Sequence, residues 1–87
     1  MTKLEQKLIE LKYENRPNLC GIGLENQWSK YFDAGEIIIE LDEEEKQVID
    51  YYVKPYRIIR TEQDLKTYKQ AFDEMQKDLE ILKECEE

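Results

Sequence analysis

Seven carboxylates crowd into fifteen residues of this chain: Glu36, Glu40, Asp42, Glu43, Glu44, Glu45 and Asp50, against the single base Lys46. Three kinds of chemistry are open to such a group. Neighbouring acids can hold a hard cation such as Ca2+ or Mg2+, but the run lacks the alternating oxygen ligands and the glycine of an EF-hand loop, and a solvated turn accounts for it. Glu40 and Asp50 could face each other across a strand pair as an acid–base dyad, yet like charges placed so repel, and both wet is the simpler state. Third, carboxylates on a strand and turn can sit where phosphates would, in a groove lined with Lys and Arg to receive them.

Little else in the chain offers reactivity. There is no histidine, which removes the commonest general base and metal ligand. Ser29 is the sole serine and has no base near it in sequence. Cys20 and Cys85 match no zinc or redox spacing and are expected as reduced thiols. Gly21 and Gly23 form a Gly-x-Gly that follows no convincing strand and opens no helix, so a phosphate loop is not expected. Tyr51-Tyr52-Val53-Lys54-Pro55-Tyr56-Arg57 has the ingredients for stacking a single-stranded base. The simpler reading gives Tyr51 to a buried face and sets Lys54, Arg57 and Arg60 against neighbouring acids. No catalysis, no cofactor and no metal is expected.

The balance of charge points the same way. With 21 acids against 13 bases the formal net charge is −8. Residues 36–50 carry −6 of it and residues 61–87 carry −5, while Lys54, Arg57 and Arg60 make 51–60 a local +3. Such a chain is repelled by nucleic acid and by anionic membrane surfaces and attracted to basic protein surfaces. Surplus carboxylates also keep a small domain soluble. No apolar run approaches the ~20 residues of a membrane span, and the N-terminus has no signal-peptide core, so a cytoplasmic location is expected.

Eighty-seven residues make one domain, 1–87, with a modest core. Thr2-Lys3-Leu4-Glu5 is a capping box, followed by Leu4, Leu8 and Leu11 on one face, with Ile9 and Tyr13 as a second strip. This predicts a helix over 2–13, stopped by Arg16-Pro17. Residues 18–26 read as a loop or irregular strand. From Gln27 the chain is extended through Phe32, and Asp33-Ala34-Gly35 turns it, with Gly35 suited to a positive φ. In Glu36–Leu41, Ile37, Ile39 and Leu41 alternate with Glu36, Ile38 and Glu40, a strand with one buried face. Asp42–Lys46 is a polar turn. Gln47–Lys54 is a third strand, with Ile49, Tyr51 and Val53 on one face, and Pro55 ends it or marks a sheet edge.

Thr61 caps a long helix to Glu84, with Glu62 and Asp64 in its first turn. Leu65, Tyr68, Phe72, Met75, Leu79 and Leu82 are spaced as an unbroken heptad. That stripe serves either a coiled-coil dimer or packing on a sheet, and its aromatics favour the sheet. The expected fold is α+β, in the order α-β-β-β-α: a single domain with an antiparallel three-stranded sheet and two helices packed on one face. A monomer is favoured over a homodimer.

The ends, Met1-Thr-Lys-Leu-Glu-Gln-Lys-Leu-Ile-Glu-Leu and Gln70-Ala-Phe-Asp-Glu-Met-Gln-Lys-Asp-Leu-Glu-Ile-Leu, with the strand Asp50-Tyr51-Tyr52-Val53, resemble small uncharacterised phage and prophage accessory proteins of Gram-positive bacteria. The resemblance covers about two thirds of the chain, and residues 14–26 do not match. It implies a context in which some such proteins inhibit host defence nucleases, anti-CRISPR proteins among them. The expected function is a non-enzymatic binding module occupying the basic nucleic-acid groove of a host enzyme, with no direct nucleic-acid binding and no membrane. Its candidate contacts are Glu40, Asp42, Glu43, Glu44 and Glu45, with Trp28, Tyr52 or Tyr56 as an aromatic anchor. The alternative is a structural homodimer joined through the C-terminal helix.

Overall fold

A computed structural model describes residues 2–16 and 26–86. Its elements run α1 (Lys3–Glu10), β1 (Glu14–Arg16), β2 (Gln27–Phe32), β3 (Gly35–Leu41), β4 (Val48–Pro55) and α2 (Glu62–Lys83). The fold is α+β, as the sequence implies, but the sheet has four strands rather than three. They are antiparallel and lie in chain order, β1-β2-β3-β4. The added strand, β1, is three residues long and carries too little pattern to be read from sequence. The loop or strand expected over 18–26, together with Gly21, Gly23 and Cys20, lies outside the described residues except for Asn26.

The capping box at Thr2 forms: its hydroxyl accepts from the Glu5 N–H at 3.2 Å, and the Glu5 carboxylate accepts from the Thr2 N–H at 3.0 Å. The helix then ends at Glu10, not Tyr13. Lys12 takes φ 74°, with Tyr13 N–H bonded to Leu8 O and Lys12 N–H to Ile9 O. This is a Schellman stop with lysine where glycine is usual. It sends Tyr13 into the core instead of leaving it on a helical strip.

α1 and α2 share one face of the sheet. Leu4 and Leu8 meet Trp28, Ile37, Ile39, Leu41, Met75 and Leu82 in one buried cluster. β3 lies at its centre. Only one face of β3 was expected to be buried, yet Glu36 and Ile38, on the other face, are buried too. Gly35 is required for a reason other than the expected positive φ. A Cβ there would stand 2.2 Å from the Lys54 carbonyl oxygen, so only glycine lets β3 and β4 approach. A register shift opposite Glu40 and Leu41 pairs Leu41 with Val48 and leaves Ile49 as the extra residue of β4. Ile49 and Tyr51 are both about half exposed, so of the face expected to be buried only Val53 packs against the core, together with Val48.

α2 matches its expected bounds but is rotated on the sheet. Its buried residues are Ala71, Met75, Asp78 and Leu82, four, three and four apart. Leu65 and Phe72 stand 44% and 47% exposed. The heptad stripe is thus split: Met75 and Leu82 enter the core, while Leu65 and Phe72 run along its margin. The small Ala71 lets the helix sit close to the sheet where Phe72 would have held it away. Tyr68 bridges the two zones, donating to the Val53 carbonyl at 2.6 Å and packing edge-on against Phe32.

Candidate functional site

The β3–β4 hairpin brings the acidic run together and divides its members by role. Asp42 builds the turn: one of its carboxylate oxygens accepts from the Lys46 and Gln47 N–H groups at 2.8 and 3.2 Å. Glu45 faces inward, at φ 59°. Its carbonyl accepts from the Thr2 hydroxyl at 2.8 Å, and its carboxyl bonds the Asn26 amide. A hydrogen bond with Glu5, burial and the Glu5 charge push the Glu45 carboxyl up to about 7, while that same bond holds Glu5 low. Asp42 therefore shapes the turn, and Glu45 ties it to the start of α1 through Thr2 and Glu5.

Glu43 and Glu44 are the two acids that the turn presents fully to water, with Lys46 3.8 Å from Glu44. Glu40 and Asp50 pair across β3 and β4 on the sheet face away from the helices. Gln27 donates to Glu40 at 2.7 Å and the Tyr52 hydroxyl donates to it at 3.4 Å. Burial and the nearby Glu40 charge raise the Tyr52 phenol above its usual range. The like-charge pair is thus relieved by an amide and a phenol, and Asp50 stays exposed. The structure links Glu40 with Asp50 and Tyr52, and the turn that follows β3 carries Glu43 and Glu44; these five make up the candidate site.

Two proposed anchors do not belong to it. Trp28 is 4% exposed and lies on the helix-facing side, so it is core and not a contact. Tyr56 is exposed but follows Pro55 and bonds through its N–H to Ala34, at the other end of the hairpin. Eight strand residues separate it from the turn by roughly 26 Å.

A second polar group is inside the molecule. Lys30 Nζ lies 2.7 Å from Asp78 Oδ2, the Tyr13 hydroxyl donates to that oxygen at 2.8 Å, and the ammonium stands 4.7 Å from the centre of the Tyr13 ring. Glu74 lies 3.8 Å from Lys30 at the rim. Burial and the Asp78 hydrogen bond drive the Tyr13 phenol far upward. The sequence held a signal for this: Lys30 alternates with Trp28 and Phe32 on β2, and Asp78 shares the periodicity of Ala71, Met75 and Leu82. A charge at an inward position on each element calls for a partner.

Among the described residues no group of three or more Cys, Asp or Glu side chains is placed to hold a metal ion. Nor is any helix among them long and apolar enough to cross a membrane. Comparison with known protein families, curated proteins and solved structures gives no match.

Proposed function

We propose that this protein is a non-catalytic acidic module that docks on a basic surface of another protein through the turn end of its β3–β4 hairpin. The partner we infer is a nucleic-acid-handling enzyme of a bacterial host cytoplasm. The hairpin would fill its phosphate-binding groove as an inhibitor of the anti-CRISPR kind. One observation supports this above the rest. Glu43, Glu44 and Asp50 are exposed together beside Glu40, in a stretch of net charge −6 on a rigid two-stranded support. Preorganised carboxylates meeting lysines and arginines give fast, salt-sensitive association. Tyr52, at the border of this acidic surface, is the aromatic contact. The resemblance of the chain ends to small phage accessory proteins supports a host enzyme as the target.

The test is capture from a bacterial host lysate, mass spectrometry of what is retained, and repetition with Glu43→Lys combined with Glu44→Lys. The expected partner carries a basic groove, releases the protein when duplex DNA is added, and binds the double variant at least ~tenfold more weakly at low salt. Unchanged binding of the double variant, or a partner with no such groove, ends this reading.

A further inference from the structure

Of the acids Asp42, Glu43, Glu44 and Glu45, the last is the one turned toward α1, and its backbone is strained by it. Glu45 takes φ 59°, in the left-handed region that a residue with a Cβ rarely adopts. Such a conformation persists where the surroundings over-determine it. The Glu45 N–H donates to the Asp42 carbonyl at 3.0 Å and closes the turn. Its carbonyl accepts from the Thr2 hydroxyl at 2.8 Å, and its carboxyl accepts from the Asn26 amide.

Thr2 holds a second carboxyl in the same place. Its N–H donates to the Glu5 carboxylate at 3.0 Å, and its hydroxyl accepts from the Glu5 N–H at 3.2 Å. One residue thus brings Glu5 of α1 and Glu45 of the turn within hydrogen-bond reach of each other. Two carboxyls so placed repel when both are ionised, and one proton between them removes the repulsion. Asp42, on the turn, adds to the repulsion, and the amino-terminal ammonium opposes it. Lys46, next along the chain, stands 3.8 Å from Glu44. The balance pushes Glu45 up to about 7 and holds Glu5 low. The chain has no histidine, the side chain that ordinarily changes charge near neutral pH, and Glu45 takes that part.

The direction of the change follows from the raised carboxyl. Below about 7 the Glu45 carboxyl donates to ionised Glu5, and the turn is tied to α1. As pH rises through about 7 the proton passes to water, two anions stand side by side, and that support is lost. Glu43 and Glu44 are exposed in the turn beside it.

We infer that the β3–β4 turn is a proton-operated latch: the proton shared by Glu5 and Glu45 holds the turn against α1, and its loss frees Glu45 to join Glu43 and Glu44 at the surface. The consequence for docking rests on the role proposed above for Glu43 and Glu44, and the latch itself does not. NMR titration of the full chain from about pH 4 to about 9, spanning the ordinary and raised carboxyl values, tests it. The Glu45 carboxyl carbon should titrate near 7, and the amides of residues 43–47 should follow with the same midpoint. Glu5→Gln keeps the capping box, which glutamine also serves, and should return Glu45 to its ordinary range near 4.5. Glu45→Gln keeps a donor toward Glu5 at every pH, so the turn amides should no longer titrate near 7. Binding of an oligolysine peptide at low salt reads the surface. Between about pH 6 and 8 the wild type should gain about threefold in affinity over Glu45→Gln, as expected for one added charge pair in water. The peptide stays charged over that interval, and the amino-terminal ammonium changes alike in both proteins. A Glu45 midpoint near 4.5, or turn amides that do not follow it, overturns the inference and leaves the docking reading to its own charge-reversal test. An equal gain in affinity by wild type and Glu45→Gln overturns it as well.

Discussion

Two groups of carboxylates in this molecule are alike in sequence and opposite in situation. Asp78 sits in a helix among Lys, Asp and Glu, and it is buried against Lys30 and Tyr13. Glu43 and Glu44 sit among acids on a turn and stay in water. A charge taken out of water must be repaid by partners at close range, and Asp78 has a cation at 2.7 Å and a phenol at 2.8 Å. A charge left in water needs nothing and contributes nothing to the fold, which leaves it available for another molecule. Glu45 lies between these limits, half turned toward α1 and sharing a hydrogen bond with a second acid.

The largest effect should come from breaking the interior pair on one side. Asp78→Ala leaves Lys30 buried without its carboxylate, and we expect a loss of ~3–5 kcal/mol in urea unfolding. The double variant Lys30→Met, Asp78→Leu removes both charges and should lie within about 1–2 kcal/mol of wild type. Equal losses in the single and double variants would show that Asp78 matters for shape and not for charge.

Thr2→Ala comes next. It removes the hydroxyl that caps α1 and also the bond to the Glu45 carbonyl, which ties the turn to the helix. The expected cost is ~0.5–2 kcal/mol by thermal or chemical unfolding. A loss below that range would mean the hairpin end is held without α1.

A smaller effect separates Glu45 from its exposed neighbours by pH. Its folded pKa of about 7 lies above the ordinary glutamate value of 4.5, so the folded state favours the protonated form. The stability contributed is fully present below about 4.5 and is lost as pH rises through about 7. Glu5 is lowered, so its contribution runs the other way and is lost only at acid pH. Of these two carboxyls, only Glu45 changes the stability between about pH 5 and 8. The urea midpoint should fall over that interval in the wild type and fall less in Glu45→Gln. Parallel slopes would show that the two carboxyls do not share a proton.

The smallest effect should come from Glu43→Gln with Glu44→Gln. We expect stability within about 0.5 kcal/mol of wild type, as for surface positions without structural contacts. A larger loss, measured by the same unfolding curves, would make these acids part of the fold and remove the reason for assigning them to a partner.

Much of the frame was legible in the chain itself. Both helix starts follow from Thr2 with Glu5 and Thr61 with Asp64, because a capping box is satisfied within four residues. β3 follows from Ile37, Ile39 and Leu41, and α2 from its apolar period, because both patterns repeat at the spacing of the element that forms. The charge of residues 36–50 is equally a property of the sequence. What depended on contacts between distant segments was not legible. Whether Phe72 or Ala71 faced the core turned on how closely α2 could approach the sheet, and the heptad spacing serves either rotation. Glu45 is one of four consecutive acids in the chain, and only the packing of α1 against the turn set it beside Glu5 and Thr2. Trp28 looked as free as Tyr52 until the sheet gave it the inward side. Local hydrogen bonds and periodicity act over a few residues and can be read directly, whereas burial is decided by which surfaces meet, and that belongs to the folded chain as a whole.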